Sequence, residues 1–276
     1  MTFRELLRRF EDVPDRERLL TGIMHWPYGA LLLHEEEEAD PETAERFLQG
    51  VRRLRAHEPL QYVLGEAPFY GRMFLVDERV LIPRFDTEIL VAEALRILKN
   101  NEQKDGRTRR VLDLCTGSGC IGLTLRLEAP DISLDASDLS RDALAVAKKN
   151  EERLLPGSAG IRWIRSDLFR EITDTYDLIV TNPPYIKSGD IPALDPEVRD
   201  HEPVGALSGG EDGLRFIRRI AEEAPSHLLE DGRILVEIGD EEGADALKIF
   251  EENGWRKISV LKDLAGRDRV VSAHKG

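Results

Sequence analysis

Short apolar runs alternate with longer amphipathic segments from Val111 onward, and this alternation constrains the fold more than any other feature of the sequence. The runs with the length and composition of buried strands are VLDLC, ISLDASD, IRWIRSD, YDLIVTN and RILVEIG. Helical spacing of apolar residues separates several of them, as in IGLTLRLEA, DALAVAKKNEERL and GLRFIRRIAEEAPSHLL. This order predicts an α/β fold, with a parallel sheet covered by helices on both faces. The final segment, WRKISVLKDLAGRDRVVSAH, predicts an antiparallel hairpin at the sheet edge.

The first part of the chain has a different pattern. Apolar residues recur at three- and four-residue steps up to about residue 64, which predicts a bundle of short helices. Thr2 with Glu5 has the spacing of a capping box, and Asp40 before Pro41 is typical of a helix start. The segment 64–83 alternates in period two and contains glycines, so it predicts a β-hairpin that connects two units. The polar stretch 100–110 predicts a loop.

Charge and composition exclude several classes of protein. The 276 residues carry 39 basic and 53 acidic side chains, and the net charge of −14 opposes non-specific binding to a phosphate backbone. No apolar run approaches the about 18 residues that cross a bilayer, and the opening MTFRELLRRFEDV lacks the apolar region of a secretory signal. We therefore expect a cytoplasmic protein. Cys115 and Cys120 match neither a disulfide framework nor a zinc motif, and we expect them to be packing residues.

A glycine-rich turn follows the first strand of the alternating region. In VLDLCTGSGCIGL the spacing of Gly117, Gly119 and Gly122 lets the backbone approach a ligand closely at the carboxyl end of a strand. Asp138 ends the next strand, where an acidic side chain accepts hydrogen bonds from ribose hydroxyls. A nucleoside is therefore the expected ligand, although a dinucleotide cofactor would satisfy the same geometry. A tight turn without a ligand is the alternative.

The tetrapeptide Asn182-Pro183-Pro184-Tyr185 comes directly after the fourth strand. The two prolines remove amide donors and leave carbonyl oxygens that only accept hydrogen bonds. If Asn182 and Pro183 each accept a hydrogen from a substrate NH₂ group, they stabilise positive charge growing on that nitrogen and aim its lone pair. Tyr185 can stack on a planar amide or base. These four residues are the catalytic candidates, and the chemistry they predict is methyl transfer to a weakly nucleophilic nitrogen without a metal.

Taken together, the ordered motifs of the chain resemble the release factor glutamine methyltransferases, also called PrmC or HemK. The motifs that carry the resemblance are EPLQYVLGEAPFYGRMF, VLIPRFDTEILV, VLDLCTGSGCIGL, SDLF, NPPYI, ALSGGEDGL, ILVEIG and DLAGRDRVV. NPPY alone is shared with amino-group methyltransferases that act on DNA, whereas the ordered set is specific. Phe85 and Asp86 depart from the Pro and Glu usual in the family, which affects local backbone rigidity at most.

The resemblance implies a doubly wound, seven-stranded, mostly parallel Rossmann-like sheet with a small N-terminal helical bundle. It divides the chain into a helical substrate-recognition domain at 1–64, a β-hairpin linker at 65–83 and an S-adenosylmethionine-dependent methyltransferase domain at 84–276. The implied reaction moves a methyl group from S-adenosylmethionine to the glutamine side chain of the Gly-Gly-Gln motif in bacterial peptide chain release factors, during translation termination. Release factors would be the partner, with no direct nucleic acid and no membrane.

By the same resemblance, the cofactor site would be lined by Thr116, Gly117, Ser118, Gly119, Cys120, Asp138, Asp167, Leu168 and Asn182. Asp167 would meet the adenine amino group. Leu168, at a position often aromatic in relatives, would contact the adenine without stacking on it. Asn182 to Tyr185 would hold the target glutamine.

Two other classes of function remain open on the sequence. An adenine amino-group methyltransferase acting on nucleic acid would share the glycine-rich turn and NPPY, but it would normally need a basic groove, which the charge balance disfavours. A translation-factor binding protein that keeps the fold without catalysis is the other, and the intact Asn182 and Gly117 disfavour it.

Overall fold

The N-terminal part of the molecule is a group of short helices around one apolar core. The computed structural model describes residues 1–105, 107–157 and 160–276. The first helices are α1 (Phe3–Arg8), α2 (Arg16–Ile23), α3 (Leu31–His34), α4 (Pro41–Arg55) and α5 (Leu60–Leu64). Leu6, Leu19, Leu20 and Phe47 are fully buried among them. Burial of each such side chain stabilises the fold by about 1.5–3 kcal/mol, so this small core contributes substantially.

Both predicted helix starts are confirmed. The Thr2 hydroxyl accepts a hydrogen bond from the Glu5 amide at 3.2 Å, and the Thr2 amide donates to the Glu5 carboxylate at 3.0 Å. Asp40 accepts from the amides of Glu42 and Thr43 at 3.0 and 2.9 Å, with Pro41 as the first helical residue. These bonds satisfy amides that the first turn of a helix otherwise leaves without partners.

A hairpin follows the helices. Strands β1 (Glu66–Phe69) and β2 (Arg72–Leu75) pair antiparallel, and the two residues between them, Tyr70 and Gly71, have φ of 48° and 73°. Two successive positive φ values match the twist of a two-residue hairpin. The Tyr70 amide is held by the Glu88 carboxylate at 2.8 Å, which offsets the cost of a left-handed conformation for a residue with a side chain.

The outer edge of β2 is tied to the rest of the molecule by one buried amide. Asn150 accepts from the Leu75 amide at 2.6 Å and donates to the Leu75 carbonyl at 3.0 Å, as a neighbouring strand would. Its Nδ2 also donates to the Ser118 carbonyl at 2.9 Å. One side chain therefore connects the hairpin to the glycine-rich turn.

The helix after the hairpin is longer than its sequence pattern indicates. A short 3₁₀ turn at Phe85–Thr87 leads into α6 (Glu88–Asp105). The prediction of a loop over 100–110 was wrong for residues 100–105, because polar residues also suit the last turns of a helix, and for Arg110, which begins the next strand. Residues 107–109 are irregular as predicted, and residue 106 lies outside the described residues.

Strands and helices then alternate to the end of the chain. The strands are β3 (Arg110–Leu114), β4 (Ser133–Asp138), β5 (Arg162–Arg165), β6 (Tyr176–Thr181), β7 (Ile186–Lys187), β8 (Ser208–Gly210), β9 (Leu228–Glu237), β10 (Arg256–Lys262) and β11 (Asp268–His274). The helices are α7 (Cys120–Glu128), α8 (Arg141–Leu154), α9 (Pro196–His201), α10 (Val204–Leu207), α11 (Arg215–Glu223) and α12 (Gly243–Glu252).

The main sheet has the predicted topology. In the described residues it contains seven strands in the order β10-β11-β9-β6-β3-β4-β5. The pairs from β9 to β5 are parallel, while β11 runs antiparallel between β9 and β10. The predicted fold class and the antiparallel C-terminal hairpin are therefore confirmed. The chain leaves β3 on one side towards β4 and β5 and returns on the other at β6, so a crevice opens at the carboxyl ends of β3 and β6.

Alternating residues of the strands fill two separate cores, one on each face of the sheet. Val111, Leu178 and Leu235 pack with α6 and α7 on one face. Leu112 and Ile179 pack with α11 and α12 on the other face. This period-two alternation is the physical basis of the doubly wound arrangement. Among the described residues, none of the helices is both long and apolar enough to span a membrane.

Candidate active site

The glycine-rich turn between β3 and α7 lies at the crevice. Gly117 and Gly119 have φ of 55° and 81°, in the left-handed region that favours glycine. Apart from Gly117 and its two chain neighbours, the described residues have no atom within 4 Å of the position that a Cβ of Gly117 would occupy, so its backbone faces open space. At Gly119 the same position is 3.0 Å from a Leu123 methyl group and 3.2 Å from Ala147, so this glycine permits close packing beneath the turn.

Asp138 joins the end of β4 to this turn. Its carboxylate accepts from the Gly117 amide at 2.9 Å and from the Ser140 amide at 2.8 Å. Burial raises the pKa of Asp138 above its usual value, while the two amides favour the charged form. The carboxylate is therefore fixed in orientation at the place where the sequence predicts a ribose contact.

Most of the predicted cofactor residues line one cavity of about 340 Å³. They are Thr116, Gly117, Ser118, Cys120, Asp138, Asp167, Leu168 and Asn182, and Pro184 lines it too. Gly119 is not among its lining residues, because the side of Gly119 where a Cβ would be faces Leu123 and Ala147 instead of the cavity. Both cysteines are free, and burial raises the pKa of the Cys115 and Cys120 thiols, so they are uncharged at neutral pH.

The catalytic candidates lie where this cavity meets a smaller one. The second cavity, of about 60 Å³, is bordered by Pro183 and Tyr185. Asn182 borders both cavities. The structure therefore brings all four residues of the tetrapeptide to one boundary, with Pro184 on the side of the larger cavity and Tyr185 on the side of the smaller.

Hydrogen bonds orient the polar ends of the tetrapeptide. Asn182 Nδ2 donates to the Thr87 hydroxyl at 3.2 Å, and the Tyr185 hydroxyl donates to the Glu237 carboxylate at 3.4 Å. Burial raises the pKa of Tyr185, so its hydroxyl keeps its proton. With its nitrogen bound to Thr87, the Asn182 side chain has its oxygen available as an acceptor.

The far end of the larger cavity is formed by the segment after β5. Asp167 lines it, and its carboxylate accepts from Arg219 at 2.8 Å. Leu168 is buried with φ of 48°, and the Ser166 hydroxyl donates to its carbonyl at 2.6 Å. The leucine side chain thus presents an apolar wall beside a carboxylate, as expected for contact with the face and edge of a base.

Among the lining residues to which the sequence analysis gave no role, Arg84, Thr87 and Phe216 are polar or aromatic side chains. Arg84 borders both cavities and pairs with the buried Glu202. Thr87 and Phe216 line the larger cavity. Arg84 and Thr87 belong to the motif VLIPRFDTEILV. The sequence showed that this motif is present but did not show that it lies beside the cavity. Phe216 lies on α11, and no local pattern distinguishes it from a core residue.

The residues present fit S-adenosylmethionine. The open space above Gly117 admits a close approach to the backbone, Asp138 offers a fixed carboxylate, and the cavity of about 340 Å³ suits a small ligand. Within residues 1–105, 107–157 and 160–276, no group of histidine, cysteine, aspartate and glutamate side chains could hold a metal ion.

Comparison with known proteins agrees with this geometry. Residues 90–194 match the model of the methyltransferase small domain, and residues 3–65 match that of the PrmC N-terminal domain. The chain is 42% identical to a release factor glutamine methyltransferase of Cereibacter sphaeroides, over 95% of this chain and 91% of that protein.

Solved structures show the same fold at low sequence identity. The hMettl16 catalytic domain has a TM-score of 0.56 at 16% identity, covering 85% of this chain and 82% of that one. A methyltransferase from Pyrococcus furiosus has a TM-score of 0.51 at 15% identity, covering 86% and 100%.

The fold and the cavity at the carboxyl edge of its sheet are those of a Rossmann-like, S-adenosylmethionine-dependent methyltransferase. The 42% identity to the Cereibacter sphaeroides protein, over nearly the whole length of both chains, shows which family within this class the chain belongs to. The chain belongs to the family of release factor glutamine methyltransferases.

Proposed function

We propose that the protein methylates the side-chain amide nitrogen of the glutamine in the Gly-Gly-Gln motif of peptide chain release factors. The observation that carries this proposal is the position of Asn182 at the boundary of two cavities. A cofactor in the larger cavity and an amide in the smaller one would meet at this side chain. Membership of the family supports the choice of glutamine as the acceptor.

In this proposal, S-adenosylmethionine occupies the larger cavity and supplies an electrophilic methyl group on a sulfonium sulfur. Asp138 accepts hydrogen bonds from the ribose, and the backbone of Gly117 approaches the ligand without a side chain in between. Asp167 and Leu168 contact the adenine. Thr116, Ser118 and Cys120 line the same cavity, and the Gly119 amide donates to the Thr116 carbonyl at 2.8 Å within the turn.

The tetrapeptide would activate the acceptor nitrogen. Asn182 Oδ1 and the Pro183 carbonyl accept the two hydrogens of the glutamine NH₂ group, which draws electron density from the N–H bonds towards nitrogen and aims its lone pair. Pro183 and Pro184 have no amide hydrogen, so their backbone nitrogens do not compete by donating. The nitrogen would gain the methyl group as the bond from that methyl to the sulfonium sulfur breaks, which leaves S-adenosylhomocysteine. The nitrogen would lose one hydrogen as a proton to water. Tyr185 provides a flat surface for the amide plane.

The N-terminal helices would receive the protein substrate. We propose that residues 1–64 form this recognition domain, residues 65–83 a linker and residues 84–276 the catalytic domain. The separate apolar core of α1 to α5 supports the first boundary. The hairpin packs partly into the catalytic core through Phe69 and Phe74, which suits a connection between the two. The reaction would take place in the cytoplasm, with no direct contact to nucleic acid.

Labelled S-adenosylmethionine tests the proposal. The purified protein is incubated with a release factor, with the same factor carrying Gln→Ala in Gly-Gly-Gln, and with DNA. We expect label on the unaltered release factor alone. Label on DNA would instead support an adenine amino-group methyltransferase, and absence of label from all three would support a binding protein without catalysis.

A further inference from the structure

Glu237 is a buried carboxylate beside the tetrapeptide that the reaction described above does not use. It is the last residue of β9, and only 1% of its surface is exposed. Thr181 pairs with Val236 in the sheet, so Glu237 lies level with Asn182 on the neighbouring strand. Its side chain points to the same face as Leu235, which is the face covered by α6 and its preceding turn.

The carboxylate contacts both polar ends of the tetrapeptide. Oε1 accepts from the Tyr185 hydroxyl at 3.4 Å. The Thr87 hydroxyl, which accepts from Asn182 Nδ2 at 3.2 Å, also interacts with the Glu237 side chain and favours its charged form. Oε2 nevertheless has no hydrogen-bond partner at normal distance within the described part of the chain. The Tyr185 hydroxyl is therefore the hydrogen-bond donor that the described residues give to this carboxylate, and the Thr87 hydroxyl favours its charge.

Within residues 1–105, 107–157 and 160–276, no ion pair of Glu237 is formed. The charge of Arg269 acts on Glu237, but its guanidinium bonds to Asp263 at 3.2 Å and lies 3.4 Å from Asp86. An ionised carboxylate that is buried without a full set of partners destabilises the fold. A glutamine or an apolar residue would avoid this cost, which points to a role in the reaction.

The direction of the hydrogen bonds gives that role. An ionised carboxylate only accepts, so it turns the Thr87 hydroxyl hydrogen towards itself and leaves the Thr87 oxygen to accept from Asn182 Nδ2. That bond in turn directs Asn182 Oδ1 away from Thr87 and towards the substrate. A protonated Glu237 can donate to Thr87 instead, and the Thr87 hydroxyl can then donate to Asn182 Oδ1. The Asn182 side chain would then turn its nitrogen, and no longer its oxygen, towards the substrate.

We propose that Glu237 is a positioning residue for methyl transfer, which in its ionised form fixes the Asn182 amide through Thr87 and holds the Tyr185 ring. This inference rests on the proposed function of the tetrapeptide. It adds a residue that touches neither cofactor nor substrate.

A pH dependence follows. Burial raises the pKa of Glu237 to about 7, opposed by the Thr87 and Tyr185 hydroxyls and by Arg269, and reinforced by the charge of Asp86. Because the ionised form is the active one, turnover should fall as the pH decreases through about 7.

The first experiment compares the wild-type protein with Glu237→Gln. We expect kcat on a release factor to fall roughly 10- to 100-fold, because the glutamine side chain can donate as well as accept and no longer fixes the amide. The affinity for S-adenosylmethionine, measured by calorimetry, should be unchanged. The wild-type kcat should show the acid limb near pH 7, and the variant should lack it.

The second experiment tests the connection through Thr87. Thr87→Val should lower kcat to a similar extent, and Thr87→Ser, which keeps the hydroxyl, should restore most of it. If the two residues act in one chain of hydrogen bonds, the double variant Thr87→Val/Glu237→Gln should lose little more than either single variant. Losses that multiply would contradict the chain.

Glu242 supplies the matched control. It is also buried, and burial raises its pKa too, but it bonds to the Gly239 amide and lines neither cavity. Glu242→Gln should leave kcat and its pH profile unchanged. An equal effect of both substitutions, or an unchanged acid limb in Glu237→Gln, would overturn the inference while leaving the proposed function intact. A wild-type protein that labels no release factor would overturn both.

Discussion

Single side chains at the carboxyl edge of the sheet have separable effects on binding and on turnover. Asn182 borders both cavities, and its amide nitrogen is already bound to Thr87. We expect Asn182→Ala to lower kcat at least about 100-fold, because the acceptor that stabilises charge on the substrate nitrogen is removed. Radiolabel transfer to a release factor at saturating cofactor measures this loss.

The control for that substitution lies at the end of β4, which is separated from β6 by β3 in the sheet. Asp138→Ala removes the proposed ribose acceptor and the two amide bonds that hold the turn. Hydrogen bonds to a charged group are worth about 1.5–3 kcal/mol, so the dissociation constant of S-adenosylmethionine should rise roughly 10- to 100-fold. Calorimetry should show the opposite pattern for Asn182→Ala, with nearly unchanged affinity. Unaltered affinity in Asp138→Ala would contradict the ribose contact.

The burial of Glu237 also predicts how the free energy of unfolding depends on pH. Its folded-state pKa of about 7 is above the usual value of 4.5, so the stability it contributes is fully present below pH 4.5 and is lost as the pH rises through about 7. Glu237→Gln should therefore unfold at nearly the wild-type denaturant concentration at pH 4.5. At pH 8 it should be more stable than wild type by up to about 3 kcal/mol. Equal stability of the two proteins at pH 8 would show that the carboxylate is not destabilised by burial.

The sequence analysis gave no role to site residues whose contacts are with residues far away in the chain. Glu237 reaches Tyr185 from 52 positions away, and Thr87 reaches Asn182 from 95. Local spacing predicts that a residue ends a strand, as it does for Asp138. It contains no information on which other strand end faces it, because that depends on the order of strands in the sheet.

Among the elements, the connection of β2 to the glycine-rich turn has the clearest experimental consequence. Asn150 makes two bonds to Leu75 and one to the Ser118 carbonyl. Asn150→Ala leaves these backbone groups without partners and should lower the free energy of unfolding by about 3 kcal/mol. It should also weaken cofactor binding, because the turn loses a support. Lys149→Ala, an exposed change on the same helix, should do neither in denaturant titration and calorimetry.

Periodicity predicted most elements of the sheet and failed in identifiable places. The runs VLDLC and YDLIVTN are apolar because both faces of β3 and β6 are covered, so their pattern is unmistakable. The segment from Ile186 to Gly210 has no such period, and its short pieces β7, α9, α10 and β8 were not predicted. Their conformation depends on tertiary contacts, such as that between Ser188 and Ser208 at 2.8 Å, rather than on local propensity.

At the scale of the whole molecule, the helical group has an apolar core separate from the two cores that cover the sheet, which suits two different tasks. The helical group 1–64 has its own core, and it contacts the catalytic part through the His201 side chain, whose Nε2 lies 3.1 Å from the Ala56 carbonyl oxygen. Leu32 and Leu33 on α3 are 76% and 81% exposed. Exposed leucines side by side, away from both cavities, suit contact with a protein partner.

If these two leucines contact the release factor, their substitution should affect an intact protein substrate but not a short peptide substrate. Leu32→Ser/Leu33→Ser should raise KM for an intact release factor roughly 10-fold, because apolar contact area is lost. It should leave KM for a short Gly-Gly-Gln peptide and the affinity for S-adenosylmethionine unchanged. Leu264→Ser, at a fully exposed leucine in the turn between β10 and β11, is the matched control. Equal effects on protein and peptide would argue against recognition by the helices.

The missing amide hydrogens of Pro183 and Pro184 have a consequence for damaged copies of the substrate. Glutamine in proteins can deamidate to glutamate, which has nearly the same shape but brings an anion instead of two donors. The Asn182 and Pro183 oxygens have no hydrogen to donate to that anion, so the side chain of a deamidated release factor would not be aimed at the methyl group and would not react.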